Sequence, residues 1–285
     1  MHTLTAIAFR NCLRFSLFAL PLLAHAGLPE SSSVPGGVAI VPLCSVSVCA
    51  AAPQTWLGDQ PVLVAVDHDA WYAVVGLALD MKPGAHELRV QIGSETGMQQ
   101  FVVNAKDYPV QHIMLKDKSK VELSPADLAR AVREIAAIKE LKRHWRVAQD
   151  TDLAFILPAE GELGGRFGVH RFFNGEQRAP HSGLDVVVKH GTPVKASAQG
   201  TVLAVADYFF NGKTVFVDHG NGLISMYCHL DRIDVQAGEK VSKGQPLGLS
   251  GMTGRASGPH LHWSVVLNGV MVDPELFITT RNLGN

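Results

Sequence analysis

Short apolar runs, broken at close intervals by turn-forming residues, recur along most of this chain, and that rhythm leaves room for little besides β-structure. After a Ser/Pro/Gly linker from Ser31 to Gly37 come Val38 to Val41, Val62 to Val66, Ala73 to Leu79, Glu87 to Ile92, Gln100 to Val103 and Gln111 to Leu115. Lys82-Pro83-Gly84 and Gly93-Ser94 punctuate them, and short strands so spaced predict a small all-β sandwich. From Phe155 the pattern resumes with Thr192 to Ala196, Thr201 to Ala206, Thr214 to Asp218, Ile224 to His229, Gln245 to Leu249 and His260 to Leu267. Gly220-Asn221-Gly222, between two of these runs, reads as a hairpin turn. A length of 285 residues suits two such domains.

One stretch breaks the rhythm. Ser124 is a suitable N-cap, Pro125 fits the first helical position, and Asp127 completes a Ser-x-x-Asp box. Leu128, Val132, Ile135, Ile138 and Leu141 repeat at helical spacing. The helix is expected to run to about Trp145 and to connect the domains. Its basic end, Lys139, Lys142, Arg143 and Arg146, reads as a solvated face that complements the C-terminal dipole. The expected organisation is thus a mainly β protein: an N-terminal β-domain over 27–118, a connecting helix over 119–150 and a C-terminal β-domain over 151–285.

Residues 1–26 read as a secretory signal, with Arg10 and Arg14 as the positive region, Phe15 to Leu23 as the apolar region, and Ala24-His25-Ala26 as the cleavage site. Phe15 to Leu23 is too short to span a bilayer, and no later stretch is long and apolar enough, so no transmembrane segment is expected after signal removal. Lys+Arg at 25 nearly balances Asp+Glu at 26, which removes the charge argument for a nucleic-acid partner or an anionic membrane. Loss of Cys12 with the signal leaves Cys44, Cys49 and Cys228. An oxidising compartment permits a Cys44–Cys49 bridge, but a continuous strand would hold the sulfurs too far apart. The required turn has no Gly, Pro or Asn in Ser45 to Val48, so the bridge stays open on sequence grounds.

Chemistry concentrates in the second domain. His68, His86 and His112 are scattered singly in the first, as structural histidines usually are. In contrast, His181-Ser182-Gly183-Leu184-Asp185 sets an imidazole and a carboxylate four residues apart around a glycine that lets both converge. His260-Leu261-His262 places two imidazoles on one face of a strand, about 6.8 Å apart. Strict alternation in Tyr227-Cys228-His229 puts Tyr227 and His229 on one face and Cys228 on the other. Two imidazoles and one carboxylate, with a fourth position left for water, are a donor set suited to catalytic zinc. Asp218-His219, beside the hairpin turn, reads as structural. His170 and His190 flank the cluster, while Asn174 and Arg178 precede His181 closely enough to line a groove.

The segment from about Gly165 to Phe277 resembles the lysostaphin-type zinc metalloendopeptidases. The resemblance is carried by Phe173-Asn174-Gly175, His181 to Asp185, Gly191-Thr192-Pro193-Val194, Tyr227 to Leu230, and Thr253-Gly254 through Gly258-Pro259-His260-Leu261-His262; Ser257 stands where such enzymes often have Thr. It implies an open antiparallel sheet with a groove, Zn2+ held by His181, Asp185 and His262, and His260 and His229 as catalytic histidines. Asn174, Arg178 and Tyr227 are the candidate substrate-binding residues. In the implied mechanism zinc acts as the Lewis acid, His260 is the base and His229 donates to an oxyanion, two roles that sequence leaves exchangeable. The implied substrate is the peptide stems of peptidoglycan, with the D-alanine to diaminopimelate cross-link as the expected bond in a Gram-negative periplasm and oligoglycine bridges as the alternative in a Gram-positive wall. The alternative is a non-catalytic activator of other wall hydrolases, against which all five residues are retained. A lipoyl-type carrier lacks its lysine at Gly220-Asn221-Gly222. The N-terminal β-domain and helix also look like the portion that accompanies this peptidase in Gram-negative envelope proteins. An inhibitory role for that portion is the working expectation.

Overall fold

The computed structural model describes residues 27–114 and 123–278. The expected signal, residues 1–26, lies outside them. In the first domain, β1 (Val38–Ser45), β2 (Gln54–Leu57), β3 (Gln60–Asp67), β4 (Ala70–Gly76), β5 (Gly84–Ile92) and β6 (Glu95–Val103) pair antiparallel in the order β1-β4-β3-β2-β5-β6. Alternation supplies the core: Leu88 and Val90 of β5 are buried while Glu87 and Arg89 face out. Ala39, Val41, Val62, Ala73 and Val75 pack in one cluster with Leu88, Val90, Phe101 and Val103. The path therefore folds over itself, and the Ser33 hydroxyl donates to the Val102 carbonyl where the ends approach.

β1 runs beyond the expected Val41 through a register shift between Pro42 and Cys44. A tight turn follows, in which the amides of Val48 and Cys49 both donate to the Ser45 carbonyl. That turn brings the Cys44 and Cys49 Cα atoms to 6.2 Å, and the disulfide is formed. The turn is stabilised by these backbone bonds and the bridge, which is why its sequence carries no turn-forming signature.

The last strand assigned by sequence to the first domain belongs elsewhere. β7 (Val110–Ile113) pairs parallel with β9 (His170–Phe173), which pairs in turn with β10 (Glu176–Gln177). A parallel partner distant in sequence leaves no local turn signal, so spacing alone could not reveal it.

Helix α1 (Pro125–Lys142) has the expected Ser124 cap, accepting from the Asp127 amide, and ends before Trp145. Glu134 accepts from the Phe209 amide at 2.6 Å and Arg130 donates to the Asp207 carbonyl at 3.0 Å, which seats the helix on the second domain. Ile138 and Leu141 pack there against the cluster of Phe216, Met226 and Cys228, whereas Leu128, Val132 and Ile135 are exposed. Arg146 lies beyond the helix end and, though partly exposed, pairs through its Nε with buried Asp218 at 2.6 Å.

The second domain is a ten-stranded antiparallel sheet. Its path is β16 (Lys240–Val241), β13 (Gly200–Tyr208), β14 (Gly212–Gly220), β15 (Leu223–Ile233), β18 (Leu261–Leu267), β11 (Leu184–Val187) and β8 (Glu162–Leu163). β12 (Pro193–Lys195) pairs with β17 (Pro246–Ser250), β17 with β15, and β19 (Val270–Val272) with β18. Register defines two faces. Leu184, Val186, Tyr227, Leu261, Trp263 and Val265 face a core completed by Phe155, Val194, Leu247 and Phe277. Asp185, Cys228 and His262 are cross-strand neighbours on the other face. Val38, Leu63 and Val74 join the same core from the first domain. Asn268 bolts the domains together, its Oδ1 accepting from the Gly76 amide at 2.6 Å and its Nδ2 donating to the Gly76 carbonyl at 3.0 Å.

Candidate metal centre

β11 and β18 lie side by side with Asp185 opposite His262, so the pleat alone brings a carboxylate and an imidazole to one face. The chain reaches β11 through Gly183, where a Cβ would lie 2.5 Å from the Ser264 Oγ and 2.7 Å from the His262 Nε2. Only glycine lets the backbone pass this close, and the passage delivers His181 from the preceding loop. His181 Nε2 lies 3.0 Å from Asp185 Oδ1 and 3.0 Å from His262 Nδ1, and His262 Nδ1 lies 2.9 Å from Asp185 Oδ1.

The surrounding atoms fix the imidazoles. His181 Nδ1 donates to the Arg166 carbonyl at 2.9 Å, turning Nε2 inward, and His262 Nε2 is 3.0 Å from the Ser264 hydroxyl, turning Nδ1 inward. Asp185 Nα donates to the Gly165 carbonyl at 2.9 Å, and Arg171 Nη2 stands 3.5 Å from Oδ2. Burial by itself would raise the Asp185 pKa, but the adjoining His181 and His262 imidazoles outweigh it and hold the carboxyl well below the usual range. Burial pushes His262 down. An anionic oxygen and two inward imidazole nitrogens, buried and converging within 4.8 Å, fit a divalent cation of borderline softness, with the outer nitrogens held as zinc-site ligands usually are.

His229 arrives by a departure from strand geometry. Its φ is 62°, and the β14–β15 register slips between Lys213/Leu230 and Val215/Tyr227. This bulge turns its ring to the metal face, 4.8 Å from His260 and 6.1 Å from His262. Tyr227 therefore does not share a face with His229 and does not reach the site. It lies in the core, where its hydroxyl accepts from the Ser197 amide at 2.8 Å and from Ser225 at 2.9 Å. Strict alternation failed here because bulges leave no composition signal.

His260 Nδ1 donates to the Gly258 carbonyl at 2.9 Å, presenting Nε2 to the site at 3.8 Å from Asp185 Oδ1. His229 Nδ1 donates to the Thr253 carbonyl at 2.8 Å, and burial pushes its pKa down to about 4. With Nδ1 held by Thr253, Nε2 is the ring nitrogen of His229 left for other partners.

Asn174 sits at the β9–β10 hairpin with φ 51°, beside Gly175 at 85°. Arg178 pairs with Glu176 at 2.8 Å. Both therefore belong to the hairpin whose Arg171 touches Asp185, while His190 pairs with Asp231 at 3.5 Å. Sequence reasoning missed Arg171, Ser264 and the supporting carbonyls. The His262-x-Ser264 spacing could have exposed Ser264, but Arg171 reaches Asp185 only through the hairpin. Cys228, opposite His262 in register, has its thiol pushed up to about 12 by burial, which leaves it inert.

Residues 179–274 match the family model described as peptidase family M23, and residues 31–106 match that of the peptidase family M23 N-terminal domain. Over 91 residues the chain is 45% identical to the peptidoglycan DD-endopeptidase ShyA of Vibrio cholerae, covering 32% of this chain and 21% of that protein. Over 94 residues it is 43% identical to ShyC of the same organism, also a peptidoglycan DD-endopeptidase, covering 33% and 22%. The matched stretch thus spans about a fifth of the length of these relatives. A crystal structure assigned to peptidase M23 from Pseudomonas aeruginosa superposes with a TM-score of 0.73 at 41% identity, covering 87% of this chain and 96% of that one.

Proposed function

This chain belongs to peptidase family M23, and from that premise we propose that it is an exported zinc-dependent endopeptidase that hydrolyses peptide cross-links of bacterial peptidoglycan. The observation that carries the reading is the convergence of His181, Asp185 and His262, with two further imidazoles beside them. The similarity to peptidoglycan DD-endopeptidases supports the wall substrate and, within it, the D-alanine to diaminopimelate bond. The formed disulfide supports an oxidising compartment such as the periplasm.

His181, Asp185 and His262 would hold zinc, which supplies Lewis acidity at a carbonyl and lowers the pKa of a water. His260 is the better base. Its Nδ1 is committed to the Gly258 carbonyl, which leaves Nε2 facing the site to take a proton there. His229, its Nδ1 bonded to the Thr253 carbonyl and its ring 4.8 Å from that of His260, would meet either the attacking water or the developing oxyanion, and its role remains exchangeable with that of His260. Asn174 and Arg178, on the hairpin joined to the site by Arg171, would meet the peptide stem.

The test is digestion of cross-linked sacculi by the mature protein with zinc or chelator, read by mass spectrometry. Conversion of dimers to monomers, lost with chelator and in His181→Ala, is expected. Equal product from His181→Ala would sink the reading.

A further inference from the structure

The first domain does not end before the metal centre begins. Tyr108, just ahead of β7, packs edge-on to Phe167 with ring centroids 6.3 Å apart. The same ring fills the space over Gly168, where a Cβ would lie 2.1 Å from Cδ1 and Cε1. Gly168 has φ 83°, so glycine is required there by the backbone as well as by the ring. The Tyr108 hydroxyl donates to the Pro35 carbonyl at 2.7 Å, fastening the ring to the first domain. Two residues on, β7 pairs with β9, and the His170 amide donates to the Pro109 carbonyl at 2.9 Å.

The loop gripped in this way is the one that holds the ligands. The Gly168 amide donates to the His181 carbonyl at 2.8 Å, and the His181 amide donates to the Val169 carbonyl at 2.9 Å. Arg166 supplies the carbonyl that sets the His181 ring, Gly165 the carbonyl that receives the Asp185 amide, and Arg171, on β9, reaches the Asp185 carboxylate.

We propose that Tyr108 and β7 are positioning elements of the metal centre, so that the N-terminal portion completes the site it precedes. The inference rests on the metal reading above for its ligand, but its geometry concerns this chain's own residues. It differs in sign from the inhibitory expectation. A ring that holds the ligand loop in place makes the N-terminal portion necessary for metal retention. Groups that orient zinc ligands from outside typically change metal affinity by about 10–100-fold when removed.

The test uses the full chain as wild type, Tyr108→Ala and Tyr108→Phe, with two readouts. Zinc transfer to a colorimetric chelator reports metal retention, and hydrogen exchange of the metal-free protein reports order in residues 165–171. Tyr108→Ala is expected to give up zinc on the order of tenfold more readily and to exchange faster in 165–171, with β14 and β15 unchanged. Tyr108→Phe, which keeps the ring over Gly168, should stay close to wild type in both. Unchanged zinc transfer and unchanged exchange in Tyr108→Ala would overturn the proposal, as would faster exchange spread evenly over both domains. If wild type itself binds no zinc, the metal reading fails, and the exchange comparison alone decides whether Tyr108 orders the loop.

Discussion

Burial treats the histidines of this protein according to what their two nitrogens meet. His219 is buried away from the metal centre, with Nδ1 2.7 Å from the Gln199 carbonyl and Nε2 2.7 Å from Ser225 Oγ. Burial pushes its pKa from 6.5 down to about 4. Since the folded value is below the unfolded one, the unfolded chain binds the extra proton between those pH values. The resulting stability is complete above about pH 6.5 and is lost as pH falls toward 4, a change of about 3 kcal/mol. Urea unfolding of metal-free wild type at pH 7 and pH 4.5 should show a steeper loss than the same pair of measurements on His219→Gln. The sequence marked His219 as structural from its place beside a turn, and it grouped by clustering the four imidazoles and one carboxylate that the fold brings together. It misplaced Tyr227 because a single residue in the left-handed region, His229, reverses the alternation on which the assignment depended. Tyr227→Phe should therefore cost about 1–3 kcal/mol by leaving the buried Ser197 amide without its acceptor, while KM on cross-linked dimers stays unchanged. A raised KM with unchanged stability would return Tyr227 to the substrate.

Among elements, those with local signatures were legible and those completed from a distance were not. Helix α1 declared itself through its cap and spacing, and most strands through turns and apolar runs. The Cys44–Cys49 turn and the parallel partnership of β7 with β9 depend on contacts that no short window of sequence contains. The β11–β18 pair shows how strictly an element can depend on one small residue. Gly183→Ala would press a methyl against Ser264, His262 and the Trp263 carbonyl. The variant is expected to keep its far-ultraviolet circular dichroism but to retain zinc about tenfold less tightly, measured as metal content after gel filtration. Full metal content would mean that β11 can move aside without disturbing Asp185.

For the molecule as a whole, the two β-domains and the intervening helix were foreseeable, but their union was not. Asn268 satisfies both the donor and the acceptor of Gly76, and core residues cross from one domain to the other. Asn268→Ala should leave that amide and carbonyl unpaired at the interface and weaken docking by about 1–3 kcal/mol. Calorimetry would then resolve two transitions where wild type gives one. A single unshifted transition would show that the apolar contacts suffice.

Cys228, the free thiol among the described residues, has a last consequence, one of timing. Cys44 and Cys49 are 5 positions apart, whereas Cys228 lies far along the chain in a strand paired on both sides. Closing a short loop is entropically cheaper than closing a long one, so during oxidation the local pair has the advantage before Cys228 can compete. Once β14, β15 and β18 have joined, the buried Cys228 sulfur is sealed from oxidant and from its neighbours. A chain held open too long in an oxidising compartment would lose that order of events, and mispaired Cys44–Cys228 or Cys49–Cys228 species would be its signature.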